Sequence, residues 1–134
     1  MRAILLNGIP TSLLAEVYEY MTKHREELRK NHLDIAVFME FEVKNVEWLK
    51  EILNTSIEVI NTIRHESTKN LVLSLIERKE KVKEQQFVSI NDIGVGDVVI
   101  LIAPRKLIER GKEQSVTWED LVIIKLRFIS SLVI

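Results

Sequence analysis

The stretch Gly96–Lys112 reads GDVVILIAPRKLIERGK, and the rest of the chain has to be organised around it. Val98–Ile102 is apolar at every position, so both faces of the strand it forms must be covered by other parts of the molecule. Gly96 and Asp97 supply the turn into that strand. Arg105–Arg110 fits a short helix, which Gly111 ends by adopting positive φ. Such a segment can be wholly structural, and it points to a compact β-domain more firmly than to any activity.

Outward from it, composition changes near Gln86. FVSINDIGVGDVVILIAP holds two of the four glycines, one of the two prolines and many β-branched residues, so Phe87–Ile90 and Val98–Ile102 read as strands with a turn over Asp92–Asp97. Downstream, two readings of residues 118–134 stand side by side. Thr117 as a cap, with Glu119 and Asp120 in the first turn, favours a helix. The alternation of Ile124, Leu126 and Phe128 with Lys125 and Arg127 favours an edge strand.

Upstream the pattern is helical. PTSLLAEVYEYMTKHREELRK has Thr11 or Ser12 to cap it and Leu14, Val17, Met21 and Leu28 on one face. Residues 33–44 fit a strand, through alternating Val37, Met39, Phe41 and Val43, and equally a helix, through Ile35, Phe38, Met39 and Glu42. From Val46 the apolar residues Leu49, Leu53, Ile57, Ile60 and Ile63 step by three and four, which predicts one long amphipathic helix. The stripe resumes at Leu71, Val72, Leu75, Ile76 and Val82 after the polar interval RHESTKN, which reads as a turn or as continuous helix. The expected fold class is therefore α+β: a helical bundle over residues 1–85, then a small β-rich domain with a C-terminal tail over 86–134.

Composition narrows the function. At 134 residues with 46% hydrophobic and 29% charged residues, the chain can bury roughly two-thirds of its unfolded surface and fold as a soluble globule. A net charge of −1, with Lys and Arg interspersed with Glu in KHREELRK and IERKEKVKE, offers no basic face for a phosphate backbone. The absence of cysteine excludes disulfides, thiolate metal sites and cysteine nucleophiles, and fits a reducing, cytoplasmic compartment. Only four of the 20 acidic residues are Asp, a balance that leans towards a thermophile. The apolar patch in MRAILLNGIP is too short for a signal peptide, and Lys125 and Arg127 interrupt the apolar C-terminus below the length of a membrane span.

Catalytic motifs are missing. His24 and Glu27 share a helix face, yet two side chains do not close a metal site and no His-Glu-x-x-His is present. Arg25 with His32, or Arg64 with His65, loosely matches the phosphate-steadying arginine and proton-moving histidine of HEPN ribonucleases, at a looser spacing. GVGD lies between strands, with no helix after it to hold a phosphate. No catalytic residue, cofactor or metal is expected.

With a helical half placed before a small β half, GDVVILIAPRKLIERGK resembles the small β-domain of GINS subunits, which join the replicative helicase complex in archaea and eukaryotes. The resemblance is carried by Gly96, Asp97, Val98, Val99, Leu101, Leu107, Ile108, Arg110, Gly111 and Lys112. More softly, LKEILNTSIEVINTIRHESTKNLV is similar to that family's helix pair, with Arg64 and Lys69 at its capping positions. The resemblance implies a non-catalytic scaffold in a hetero-oligomer, with a sister GINS-type subunit, the MCM helicase and a RecJ-like nuclease homologue as partners. Leu49, Leu53, Ile57, Ile60, Arg64 and Lys69 would then form the subunit interface. A small helical HEPN-like ribonuclease, and an interaction module of an unrelated viral or mobile-element family, are the alternatives.

Overall fold

The computed structural model describes residues 1–7, 39–89, 92–105 and 115–128. These residues form one six-stranded mixed sheet and two α-helices. In chain order the elements are β1 (Arg2–Leu6), β2 (Met39–Lys44), α1 (Val46–Thr55), β3 (Glu58–Asn61), α2 (Glu66–Leu73), β4 (Val82–Glu84), β5 (Val98–Pro104) and β6 (Leu121–Phe128). The sheet order is β2-β6-β5-β1-β3-β4. β5, β1, β3 and β4 run parallel, while β6 pairs antiparallel with both β5 and β2.

β1 organises the sheet. Its residues Ala3, Ile4, Leu5 and Leu6 are all buried, and it pairs in parallel with β3 (Ala3 opposite Val59) and with β5 (Ala3 opposite Val98). Because successive side chains point to opposite faces, the apolar run Ala3–Leu6 needs a cover on each side. On one face Ala3 and Leu5 join Val59, Ile100 and Ile102 beneath Leu49 and Leu53 of α1 and Val72 of α2. On the other, Ile4 and Leu6 join Ile60, Val99, Leu101 and Leu126, with Val88 packed among them. Each such side chain contributes about 1.5–3 kcal/mol on leaving water.

The helices are set by local chemistry. Asn45 caps α1, its side-chain oxygen accepting the Trp48 amide at 2.9 Å, and Glu47 sits in the first turn. α1 stops at Thr55, where Ser56 turns extended and donates its hydroxyl to the Leu53 carbonyl at 3.0 Å. α2 is the crossover between parallel neighbours β3 and β4.

This architecture corrects the expected fold class. Instead of a helical bundle followed by a β domain, it is an α/β fold whose one sheet takes strands from both sides of residue 86. The expected long helix from Val46 to Ile63 is helix only to Thr55, and Glu58–Asn61 is a strand. A fully buried parallel strand is apolar on both faces and has no alternation, so Ile57, Ile60 and Ile63 supplied a false helical step. Arg64 and His65 form the turn in RHESTKN, and the helix resumes at Glu66. Phe87–Ser89 is not a strand; Val88 is buried by packing alone and Phe87 is 61% exposed. The competing signals after Val116 belong to successive segments: Thr117 and Asp120 close a capping box on the short 3₁₀ turn Trp118–Asp120, and β6 follows directly. Met39–Lys44 takes the strand option. The expected first helix, the helix over Arg105–Arg110 beyond its first residue, and the tail after Phe128 lie outside the described residues. Among the described residues, no helix is long and apolar enough to cross a membrane.

With the helical-first layout gone, the resemblance to GINS subunits falls, because its motif residues Val98 and Leu101 are part of a parallel strand beside β1. Gly96 and Asp97 have a structural role. Gly96 adopts φ +87°, a conformation that suits glycine. Asp97 then meets Arg2 at the start of β1, with Nη2 to Oδ2 at 2.7 Å and Nε to Oδ1 at 3.3 Å. Arg2 also donates to the Asp92 carbonyl at 2.6 Å, and Asp97 accepts the Gly94 amide at 2.7 Å. The Asp97 side chain is 8% exposed.

The hydrogen bond from Arg2 holds the Asp97 carboxyl below its ordinary pKa despite the opposing effect of burial. A depressed folded-state pKa stabilises above the unfolded Asp value of about 3.9 and is lost as pH falls through the lower folded value. Asp97→Asn is therefore expected to cost about 2 kcal/mol at neutral pH. In urea unfolding followed by circular dichroism, that gap should close on acidification below the ordinary Asp range; a gap that persists there would show that charge is not the cause.

Candidate interaction site

Among the described residues two surfaces qualify as sites. The first lies at the carboxyl ends of β3 and β4, where open α/β sheets often place ligands. Arg64 lines two open clefts there, of about 370 Å³ and about 730 Å³. Glu84, which lines the smaller cleft, accepts at both carboxylate oxygens from the fully buried Asn61 side chain, at 3.0 and 3.2 Å. Lys69 closes on the same carboxylate at 3.3 Å, so its charge is already matched. Thr62 donates both its amide and its hydroxyl to the Leu5 carbonyl, at 3.1 and 2.7 Å, which stitches the end of β3 to β1.

His65 lines the larger cleft, but its ring is committed to structure. Nδ1 accepts the Thr68 amide at 3.3 Å and lies 2.8 Å from the Thr68 hydroxyl, which makes His65 the cap of α2. Accepting at Nδ1 puts the neutral ring's proton on Nε2. A base at Nε2 needs the other tautomer, which forfeits the cap. In this arrangement the His65 ring is held next to Arg64 by its capping contacts with Thr68. His24, Arg25, Glu27 and His32 lie outside the described residues. Among the described residues no cluster of three or more metal-ligating side chains forms.

The second surface is the β2 edge. Among the described residues β2 pairs only with β6, leaving its outer row of backbone groups without a strand. Phe41 lies opposite Leu126, itself opposite Val99; Val43 lies opposite Ile124, itself opposite Leu101. Two apolar rows thus run from the core to the rim, where Phe41 is 54% and Val43 is 71% exposed. The opposite face of β2 is charged. Lys44 Nζ donates to Glu42 at 2.6 Å and sits 5.5 Å from the Trp48 ring centroid, while Glu42 lies opposite Lys125 in β6. The bond from Lys44 holds the Glu42 carboxyl below its ordinary pKa.

The expected interface residues do not share a helical stripe. Leu49 and Leu53 are buried on the underside of α1, Ile57 is 76% exposed between α1 and β3, and Ile60 is buried within β3. Arg64 lies in the turn before α2, and Lys69 sits on α2 beside Glu84. Of the β-domain motif, Gly96, Asp97, Val98 and Leu101 come together at β5, whereas Arg110 and Gly111 lie outside the described residues. Sequence reading missed Phe41 and Val43 as surface residues. Their alternation was visible, but alternation looks the same whether the apolar side is covered or bare.

Fold and surface define a small single-sheet α/β protein with a parallel centre, an antiparallel margin and an open apolar edge. No protein-family model and no curated protein matches the chain. Among solved structures the chain is similar to B116 of Sulfolobus turreted icosahedral virus, at 16% identity, with a TM-score of 0.52 over 94% of this chain and 98% of that one. The likeness is one of fold, and it replaces the helical-first layout of a GINS subunit with a sheet-centred one.

If His65 serves as a cap, His65→Ala should lower stability by about 1 kcal/mol, and His65→Asn, which keeps a capping acceptor, should recover most of it. Chemical denaturation of the three proteins in parallel decides this; equal losses in both variants would remove the capping role.

Proposed function

We propose that this chain is a non-catalytic interaction module that recognises protein by accepting a strand along β2. The observation that carries this reading is the pair of apolar rows that leave the core and end bare at Phe41 and Val43. An added strand satisfies the open backbone row and covers both side chains, the physics of β-augmentation. The chain's even charge and the cap role of His65 support binding over turnover. Likeness of fold to a virus protein supports a module of viral or mobile-element kind. The helicase, the RecJ-like nuclease and a sister GINS-type subunit rested on the withdrawn resemblance and have no part in the proposal.

Replacing Phe41 and Val43 together by lysine tests the reading, because both side chains already face solvent, at 54% and 71% exposure. Wild type and the double variant are compared by sedimentation velocity, alone and with extract of the cells that make the protein. Association present in wild type and lost in the variant, at an unchanged unfolding midpoint, is the expected result. Identical sedimentation of the two proteins under both conditions overturns it.

A further inference from the structure

β2 reads Met39-Glu40-Phe41-Glu42-Val43-Lys44, with apolar and charged positions on opposite faces. Resting on the reading that β2 is the binding edge, we infer that its occupant is β2 of a second copy of this chain, paired antiparallel with Val43 on the two-fold axis. Two identical edges related by a two-fold axis through the sheet must run antiparallel, and residues directly opposite each other then share a face. Those conditions leave few registers, and charge sorts them.

With Glu42 on the axis, Glu42 comes opposite its own copy. With Phe41 there, each Glu40 comes opposite a Glu42; with Lys44 there, Lys44 meets Lys44. Like charges directly opposite destabilise a sheet. Only the Val43 register within Phe41–Lys44 avoids them, and it sets each Glu42 against the other copy's Lys44. The same register sets Val43 against Val43, so the row Leu101–Ile124–Val43 continues into its symmetry mate without interruption. The second row gains as well, since Phe41 comes diagonal to the other copy's Val43.

Lys44 and Glu42 already touch within one chain at 2.6 Å, so the paired edges place alternating charges in one compact group on that face. A foreign strand matches this pattern only by coincidence, whereas a second copy matches it by symmetry. The edge is thus complementary to itself in charge and in apolar content.

Charge reversal gives a test that a merely structural role does not mimic. Glu42→Lys and Lys44→Glu each create like-charge pairs across the axis, and each should weaken dimerisation about tenfold or more in sedimentation equilibrium. In an equal mixture, one chain carries lysine at both positions and the other carries glutamate at both. Every pair across the axis of that heterodimer is again lysine against glutamate, so it should recover wild-type affinity, although the contact within each chain stays broken. Because the chain has no cysteine, Val43→Cys should form a disulfide-linked dimer on mild oxidation, whereas Val95→Cys, on an exposed loop, should not.

A dimer that ignores both reversals and is not trapped by Val43→Cys, yet dissociates in the Phe41→Lys, Val43→Lys variant, overturns this register and leaves the edge reading standing. A wild-type monomer whose edge takes up a different protein overturns the second copy as occupant. Association that survives the double lysine variant overturns both.

Discussion

The structure depends on one strand that cannot be left uncovered on either side. β1 has Ala3 and Leu5 facing one way and Ile4 and Leu6 the other, and all of them are buried. Parallel partners on both sides satisfy its backbone, and the two apolar layers satisfy its side chains. The Arg2–Asp97 pair sits where β1 begins and β5 is about to, and fastens strands that are 95 residues apart in sequence. Closing so long a loop is entropically unfavourable until the contacts form, and the pair is one of the contacts that offset it.

This explains what could and could not be seen in the sequence. The unbroken apolar run Val98–Ile102 announced a strand covered on both faces, and it is one. The same property hid β3. Val59 and Ile60 point to opposite faces and both are buried, so the strand lacks a two-residue period, and Ile57 and Ile63 on either side complete an accidental helical step. β1 was read only as too short for a signal peptide, because a lone apolar run of this length does not say which partners it will meet. The partners themselves are long-range facts, and no local pattern places Leu5 beside Ile100.

The motif that suggested a replication subunit was sound as local structure and misleading as kinship. A tight glycine turn, an aspartate and a doubly covered strand recur wherever a chain must enter a sheet centre. Here the glycine provides positive φ and the aspartate provides the anchor for Arg2. Gly96, Asp97 and the buried Val99, Ile100 and Leu101 therefore each have a structural role within this chain. The candidate site was legible only in part: alternation in Phe41, Glu42, Val43 and Lys44 marked a strand, but its position at the rim follows from the β5-β6-β2 order.

Position at the rim turns an ordinary alternating strand into a selective surface. A bare apolar edge invites indiscriminate pairing, and proteins commonly restrain it with charge. β2 carries its restraint on the face opposite Phe41 and Val43, where Glu42 and Lys44 are of opposite sign and two residues apart. Opposite signs at that spacing do not forbid pairing; they forbid registers. A row of lysines alone would repel every copy of itself, and a row with no charge would slip freely between registers. The Glu42–Lys44 pair does neither, which is why the edge is better understood as a surface for one specific strand than as an edge closed to all.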